Sequence, residues 1–316
     1  MPSPEKALPS QLPLIVILGP TAVGKTEIAI LLAERLGGEI ISADSRQFYR
    51  GMDIGTAKPS AEQRSRVAHH LIDIADPHQT WSLAVFQRAA QQAIQAIYAR
   101  GHLPFLVGGT GQYIEAITSA WQVPRVEPDP DLRRVLEAWS VEIGPAGLHA
   151  RLSSLDPEAA AQIDPRNLRR TIRALEVILR SGRKFSDQRK PGQPAYQVLQ
   201  IGLILPRSQL YARIDARIEA MIKAGLLEEV RALLEKGFPA DLTAFSAIGY
   251  REMIACLRGE IDLTEAVAIM KRRTRQFVRH QANWFKTRDT DITWFLAENN
   301  VENAIEAFIR TWLKSR

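Results

Sequence analysis

Residues Gly19-Pro20-Thr21-Ala22-Val23-Gly24-Lys25-Thr26 spell a complete G-x-x-x-x-G-K-[ST] phosphate-binding loop. Its glycines let backbone N–H groups turn inward around a phosphate. A helix N-terminus just after the loop adds partial positive charge, and Lys25 adds a full one. Thr26 stands where a hydroxyl ligates the Mg2+ that accompanies a bound phosphate. Two further positions could do chemistry beside it. Asp44 follows the apolar run Glu39-Ile40-Ile41-Ser42-Ala43, and Thr110 lies in the glycine-rich turn Gly108-Gly109-Thr110-Gly111. A carboxylate at a strand end can touch the acceptor of a transferred group, or it can simply cap the next turn. The residues alone leave both open.

The elements that must position these groups are legible in outline. Leu14 to Leu18 is a short apolar run of the kind a buried parallel strand requires. After Thr26, the spacing of Ile28, Leu31, Leu32 and Leu36 predicts a helix that Gly37-Gly38 stops. Strands are expected at 39–43 and 103–107, with Leu71-Ile72-Asp73-Ile74 read as a further one, and a helix at about 82–100. This is an α/β pattern. Ligands of such sheets sit at the carboxyl ends of the strands, so Asp44, Thr110 and the phosphate loop should converge on one crevice. The proline-rich stretch 123–130 then reads as an extended linker, and every periodic segment from 131 to 182 looks helical. The expected organisation is a core at 1–123, a helical insertion at 124–195, and the rest of the core at 196–316. That last part opens with a strand at 198–205 and is otherwise helical.

Composition bounds the classes. The chain has 316 residues, of which 46% are hydrophobic and 24% charged, as expected for a globular protein with a sizeable core. No apolar run approaches the ~20 residues that span a bilayer, and the polar, proline-rich stretch 1–11 does not resemble a signal peptide. Cys256 is the single cysteine, which excludes an internal disulfide and a thiolate zinc site. Its neighbours Met253, Ile254 and Leu257 predict a core thiol. A cytoplasmic protein without membrane contact, needing no more than a monomer, is the expectation.

A formal charge of +6 points to a polyanionic partner, and its distribution sharpens that reading. Residues 165–190 carry Arg166, Arg169, Arg170, Arg173, Arg180, Arg183, Lys184, Arg189 and Lys190 against Glu176 and Asp187. Residues 270–288 carry Lys271, Arg272, Arg273, Arg275, Arg279, Lys286 and Arg288 and no acid. In the second run Leu263, Val267, Met270, Thr274, Phe277, Gln281 and Trp284 form an inward face. Lys271, Arg275 and Arg279 then form an outward stripe. Two basic runs beside a phosphate loop favour a nucleic-acid backbone over two solvated helix faces. Trp139 and Trp284 are expected in helical cores, and His69, His70 and His78 as loop or core histidines, since their spacing fits no helical ligand pair. The apolar strand ending in a magnesium-binding acid, usual in a phosphate-loop ATPase, is missing: the strand at 103–107 ends in Gly-Gly-Thr.

Residues 44–58, Asp-Ser-Arg-Gln-Phe-Tyr-Arg-Gly-Met-Asp-Ile-Gly-Thr-Ala-Lys, resemble the signature of the tRNA dimethylallyltransferases, the bacterial tRNA isopentenyltransferase family. The similarity continues at 19–26, 72–77, 107–113, 173–177, 248–252 and 274–276, in family order. The resemblance implies a P-loop NTPase-like parallel sheet core with an inserted all-helical tRNA-binding domain that grips the anticodon stem-loop. It implies transfer of a dimethylallyl group from dimethylallyl diphosphate to N6 of the adenosine just 3′ of the anticodon, in tRNAs reading codons that start with U. It makes Asp44 the general base and places Thr110 on the substrate. The loop from Gly19 to Thr26 becomes a cradle for the diphosphate leaving group with Mg2+, and Arg251 adds positive charge beside it. Asp44, Ser45, Arg46, Gln47, Thr110, Arg133, Arg169, Arg170 and Arg173 become tRNA contacts. One departure is Phe245-Ser246-Ala247, where some relatives carry a basic residue near Ser246. The rival readings are a small-molecule kinase using ATP, a prenyltransferase acting on free AMP, and a non-enzymatic RNA-binding module.

Overall fold

The computed structural model describes residues 12–315 except 125, 190, 191, 193, 194, 287 and 288. The polar N-terminal stretch 1–11, Lys190 and Arg288 therefore lie outside the described residues, as does most of 188–194. The chain forms two compact units: one runs to Thr118 and resumes at Ala195, and the other occupies the residues between.

The first unit is built on a parallel sheet. β1 (Leu12–Leu18) buries Leu14 to Leu18 completely, which explains its unbroken apolar sequence. Each such side chain contributes about 1.5–3 kcal/mol of transfer free energy. α1 (Lys25–Leu36) starts inside the phosphate loop. Gly24 precedes it at φ 106, a left-handed conformation that favours glycine. β2 (Gly38–Ala43), α2 (Ala61–Arg66), β3 (His69–His70), α3 (Leu83–Ala99), β4 (Leu103–Gly108) and α4 (Gly111–Thr118) follow.

β3 corrects the strand expected at 71–74. It stops at His70 because Leu71 and Asp73 adopt φ of 62 and 55, outside the extended region. Asp73 sits in that loop, bonded to Lys58 and Arg64.

The second unit holds α5 (Pro130–Leu155), broken at Gly144-Pro145, then α6 (Pro157–Gln162) and α7 (Leu168–Ser181). Leu136, Leu148, Leu152, Ile172, Leu175 and Phe185 form its own core. Trp139 is not in it: the ring is 37% exposed with the Arg151 guanidinium over its face.

The first unit resumes with β5 (Tyr196–Ile204), α8 (Arg207–Lys223), α9 (Leu226–Glu235), α10 (Tyr250–Leu257), α11 (Leu263–Trp284), β6 (Ile292–Leu296) and α12 (Val301–Lys314). β6 corrects the expectation that everything after 205 is helical; it pairs with β5 as an edge strand. Among the described residues the strand order is β3-β2-β4-β1-β5-β6, every pair parallel. Gly108 pairs with both Leu18 and Ala43, so β1, β4 and β2 end level. The phosphate loop, Gly109-Thr110 and Asp44 therefore leave the sheet side by side. No described helix is long and apolar enough to cross a membrane.

Candidate active site

Two adjoining cavities lie at these level strand ends. The smaller, about 110 Å³, is walled by Thr21, Ala22, Gly24, Lys25, Thr26, Ser42, Asp44, Gln47, His69 and Arg217. The larger, about 290 Å³, shares Thr21, Asp44 and Arg217 with it. It adds Ser45, Arg46, Thr110, Ser246 and Gln281 and an apolar wall of Ile214, Ile218, Met221, Ile248, Met270 and Phe277. A polar cradle and a partly apolar chamber thus meet at one carboxylate.

The cradle follows from the loop. Lys25 Nζ donates to the carbonyls of Gly19 at 2.9 Å and Pro20 at 2.7 Å. Desolvation pushes its pKa down to about 7, Asp44 opposing the shift and Arg217 reinforcing it. Ala22 takes φ 66, and Val23, fully buried, accepts from Arg213 through its carbonyl. Thr26 lies in the same wall as Asp44. Mg2+ keeps several waters and binds through one or two protein oxygens plus substrate phosphate, so these two oxygen-bearing side chains fit such an ion.

Asp44 caps the next turn and also lines both cavities. Its Oδ1 accepts from the Arg46 N–H at 2.9 Å and caps the turn. Oδ2 makes no hydrogen bond among the described residues, so one oxygen fixes the side chain and the other is left unspent. Thr110 is tied in beside it: Oγ1 accepts from the Ser45 N–H at 3.4 Å, and the Thr110 N–H donates to the Ala43 carbonyl. Ser42 donates through Oγ to Gln47 Oε1 at 2.8 Å, which seats Gln47 in the cradle wall. Arg46 reaches across to the Thr243 and Ala244 carbonyls and to Ser246 Oγ. Arg46 thus brings a guanidinium to Ser246.

Not every expected residue gathers here. Arg251 is exposed on α10 and lines neither cavity. Arg217 on α8, one turn beyond Arg213, lines both, and burial holds its pKa below the usual guanidinium range. The repeat Arg213-Ile214-Asp215-Ala216-Arg217-Ile218 was the available signal: each arginine adjoins a buried isoleucine. His69 is a second omission. Its Nδ1 bonds the Val67 carbonyl at 2.7 Å, while Nε2 is buried without a partner and the ring lines the cradle.

The outward stripe on α11 also needs correction. Lys271 pairs with Glu219, Arg273 with Glu252 and Arg275 with Asp215, so acids from α8 and α10 neutralise much of that run. Of the expected inward face Met270 and Gln281 are buried, but Leu263, Phe277 and Trp284 are 37%, 42% and 48% exposed, and Trp284 lies over Gly111. In the second unit, Arg133 and Arg173 both bond the Glu176 carboxylate, which has 0% exposure. Arg169 and Arg170 are exposed.

Comparison with known proteins then bears on what this arrangement is. A family model described as IPP transferase matches residues 47–288, and one described as isopentenyl transferase matches 12–73. The chain belongs to the IPP transferase family. A tRNA dimethylallyltransferase of Roseiflexus sp. (strain RS-1) is 52% identical over 302 residues, covering 96% of this chain and 99% of that one. One from Chloroflexus aggregans is 53% identical over 273 residues, 86% of this chain and 92% of its own. Among solved structures, a tRNA isopentenylpyrophosphate transferase from Bacillus halodurans superposes with a TM-score of 0.71 at 43% identity, covering 96% and 97% of the two chains. A eukaryotic dimethylallyltransferase, captured acting on tRNA, gives 0.84 at 26% identity, covering 96% of this chain and 80% of that one. With the family shown, the kinase reading loses its footing.

Proposed function

We propose that this enzyme transfers the dimethylallyl group of dimethylallyl diphosphate to N6 of the adenosine 3′-adjacent to the anticodon, in tRNAs reading codons that start with U. Diphosphate is released. The observation carrying this reading is that the phosphate cradle and the partly apolar chamber share Asp44 as a common wall.

The chemistry runs from that geometry. An exocyclic adenine amine is a weak nucleophile because its lone pair is delocalised into the ring. As N6 bonds the allylic carbon, the carbon–oxygen bond to diphosphate breaks and the amine must lose a proton. Asp44 Oδ2 is the acceptor, held in place by the cap that Oδ1 makes to Arg46 N–H. Negative charge grows on the departing diphosphate, where Lys25, Arg217 and the loop N–H groups from Ala22 to Thr26 meet it. Mg2+ held through Thr26 supplies further charge neutralisation when bound. The apolar wall excludes water from the allylic carbon, which would otherwise be hydrolysed.

The adenosine must leave its stacked loop to reach the chamber, as base-modifying enzymes generally require. Ser45, Arg46 and Thr110 line that chamber, and Gln47 lines the adjoining cradle. The helical unit, with Arg169 and Arg170 exposed, grips the anticodon arm; an enzyme using free AMP would have no need of it. Arg133 and Arg173 serve that grip by holding α5 and α7 together through Glu176.

The deciding experiment is mass analysis of tRNA after incubation with enzyme, Mg2+ and dimethylallyl diphosphate, beside an AMP acceptor and an ATP-only control. We expect one dimethylallyl increment on one adenosine of tRNA and none on AMP. Asp44→Ala should lower turnover by about 10²–10⁴-fold while tRNA still binds. Modification of AMP at a comparable rate would overturn the acceptor assignment, and near-normal turnover of Asp44→Ala would remove the base.

A further inference from the structure

Gln281 is a described residue whose environment the reaction above does not explain. It sits on α11, far from the motifs in sequence, and is only 5% exposed. Its carboxamide makes two long-range bonds. Oε1 accepts from the Thr21 N–H of the phosphate loop at 2.9 Å, and Nε2 donates to the Gly109 carbonyl at 2.9 Å. Both ends of one planar group are therefore spent on the two loops that border the active site. A buried amide left unsatisfied would cost about 1–3 kcal/mol, so this pairing fixes the spacing of the loops rather than following it.

The connection continues on either side. Gly109 O belongs to the peptide that leads into Thr110, whose Oγ1 accepts from Ser45 N–H, next to Asp44. An unbroken path of bonds then runs from the diphosphate cradle through Thr21, Gln281, Gly109, Thr110 and Ser45 to the base. The fit is close: a Cβ on Gly109 would stand 2.3 Å from Nε2, so glycine at this position is what admits the amide.

We propose that Gln281 is a positioning residue that sets the distance between electrophile and base by clasping the phosphate loop to the Gly109-Thr110 turn. With both ends of its amide bonded to loop backbone, it acts through the loops that carry the reacting groups. Its effect is geometric, and displacing reacting groups by about 1 Å costs on the order of 10²-fold in rate. The inference rests on the transfer reaction proposed above, so one arm of its test does not depend on turnover.

That arm is amide hydrogen exchange of the peptide containing Thr21. The Thr21 N–H is protected in the parent enzyme and should exchange faster in Gln281→Met, which keeps the side-chain length and removes both polar ends. Unchanged exchange would overturn the clasp whether or not the enzyme prenylates tRNA. The second arm is single-turnover transfer with enzyme in excess, for Gln281→Met and Gly109→Ala. We expect the rate constant to fall about 10²-fold, with full amplitude and with KM for both substrates within about threefold of the parent. A merely structural role would instead lower the amplitude with loss of folded protein and leave the rate constant alone. That pattern, or parent-like rate constants in both variants, would overturn the proposal. Failure of the parent enzyme itself to transfer would strike the reaction, not the clasp.

Discussion

Lys25 is where the site's charge is most finely poised. Its ammonium donates to the Gly19 and Pro20 carbonyls, and desolvation, opposed by Asp44, brings its pKa to about 7. A bound diphosphate must raise that value, because anionic oxygens favour the charged form. Between about pH 7 and the higher bound value, binding therefore recruits a proton, and affinity falls as pH rises. Calorimetry of diphosphate binding at pH 8, in buffers of different ionisation heat, should show proton uptake that is lost in Lys25→Arg, whose charge is permanent. Equal uptake in both proteins would assign the proton elsewhere. The same residue shows what was legible at this scale. Lys25, Thr26, Asp44 and Thr110 announce themselves because each lies in a local motif at a strand end. Gln281, Arg217 and His69 do not, because their roles depend on partners brought near by the fold: Gln281 meets Thr21 across 260 positions. Arg251, expected beside the diphosphate, lines neither cavity, since the resemblance gives residue order but not the direction in which a helix faces.

Elements were legible in proportion to how completely they are buried. β1 and β4 read as uninterrupted apolar runs because both faces are covered. β6 escaped although Ile292-Thr293-Trp294-Phe295-Leu296 is rich in strand-forming residues; as an edge strand it buries one residue in five. β3 was misplaced because apolar residues 71, 72 and 74 fill a turn beside it. What holds β3, the start of β4 and the end of α3 together is Glu39 on β2, 4% exposed. It bonds Arg100, His70 and His102. The Arg100 bonds, against the cost of burial and aided by both histidines, keep its pKa at about 2. The folded value lies below the ordinary 4.5, so the stabilisation is fully present above about pH 4.5 and is lost as pH falls towards 2. Glu39→Gln should cost about 2–3 kcal/mol at pH 7, less than the full shift implies because Arg100 and His102 are half-exposed. Denaturant unfolding at pH 7 and near pH 2.5 tests this. The gap between variant and parent should close at the lower pH, and a gap of equal size at both would remove the carboxylate's charge as its cause.

At the scale of the whole molecule, net charge misleads unless ion pairs are subtracted. The formal +6 came with two basic runs. Folding treats them differently: the run on α11 meets Glu219, Glu252 and Asp215 from elsewhere in its unit. Within the helical unit Arg166 pairs with Asp164, Arg180 with Asp129, and Arg133 and Arg173 with Glu176. Arg169 and Arg170, at the start of α7, make no ion pair among the described residues. Positive charge without a protein partner is the kind that displaces counterions from an RNA backbone, so the salt dependence of tRNA binding should report on these two residues. For single-stranded or duplex phosphates each contact contributes about 0.7–0.9 to the slope of log K against log salt. Arg169→Ala with Arg170→Ala should reduce that slope by roughly 1.5 and leave the melting temperature within about 1 °C, as is usual for surface changes. Arg133→Ala should do the reverse. It strips the bidentate partner from a fully buried carboxylate, so the helical unit loses stability, with little change in slope for the molecules that remain folded. Filter binding across a salt series, with thermal unfolding of each variant, separates the two classes. An unchanged slope in the double variant would place the RNA on another surface. A reduced slope in Arg133→Ala at full stability would mean that the guanidinium leaves Glu176 for phosphate when tRNA arrives.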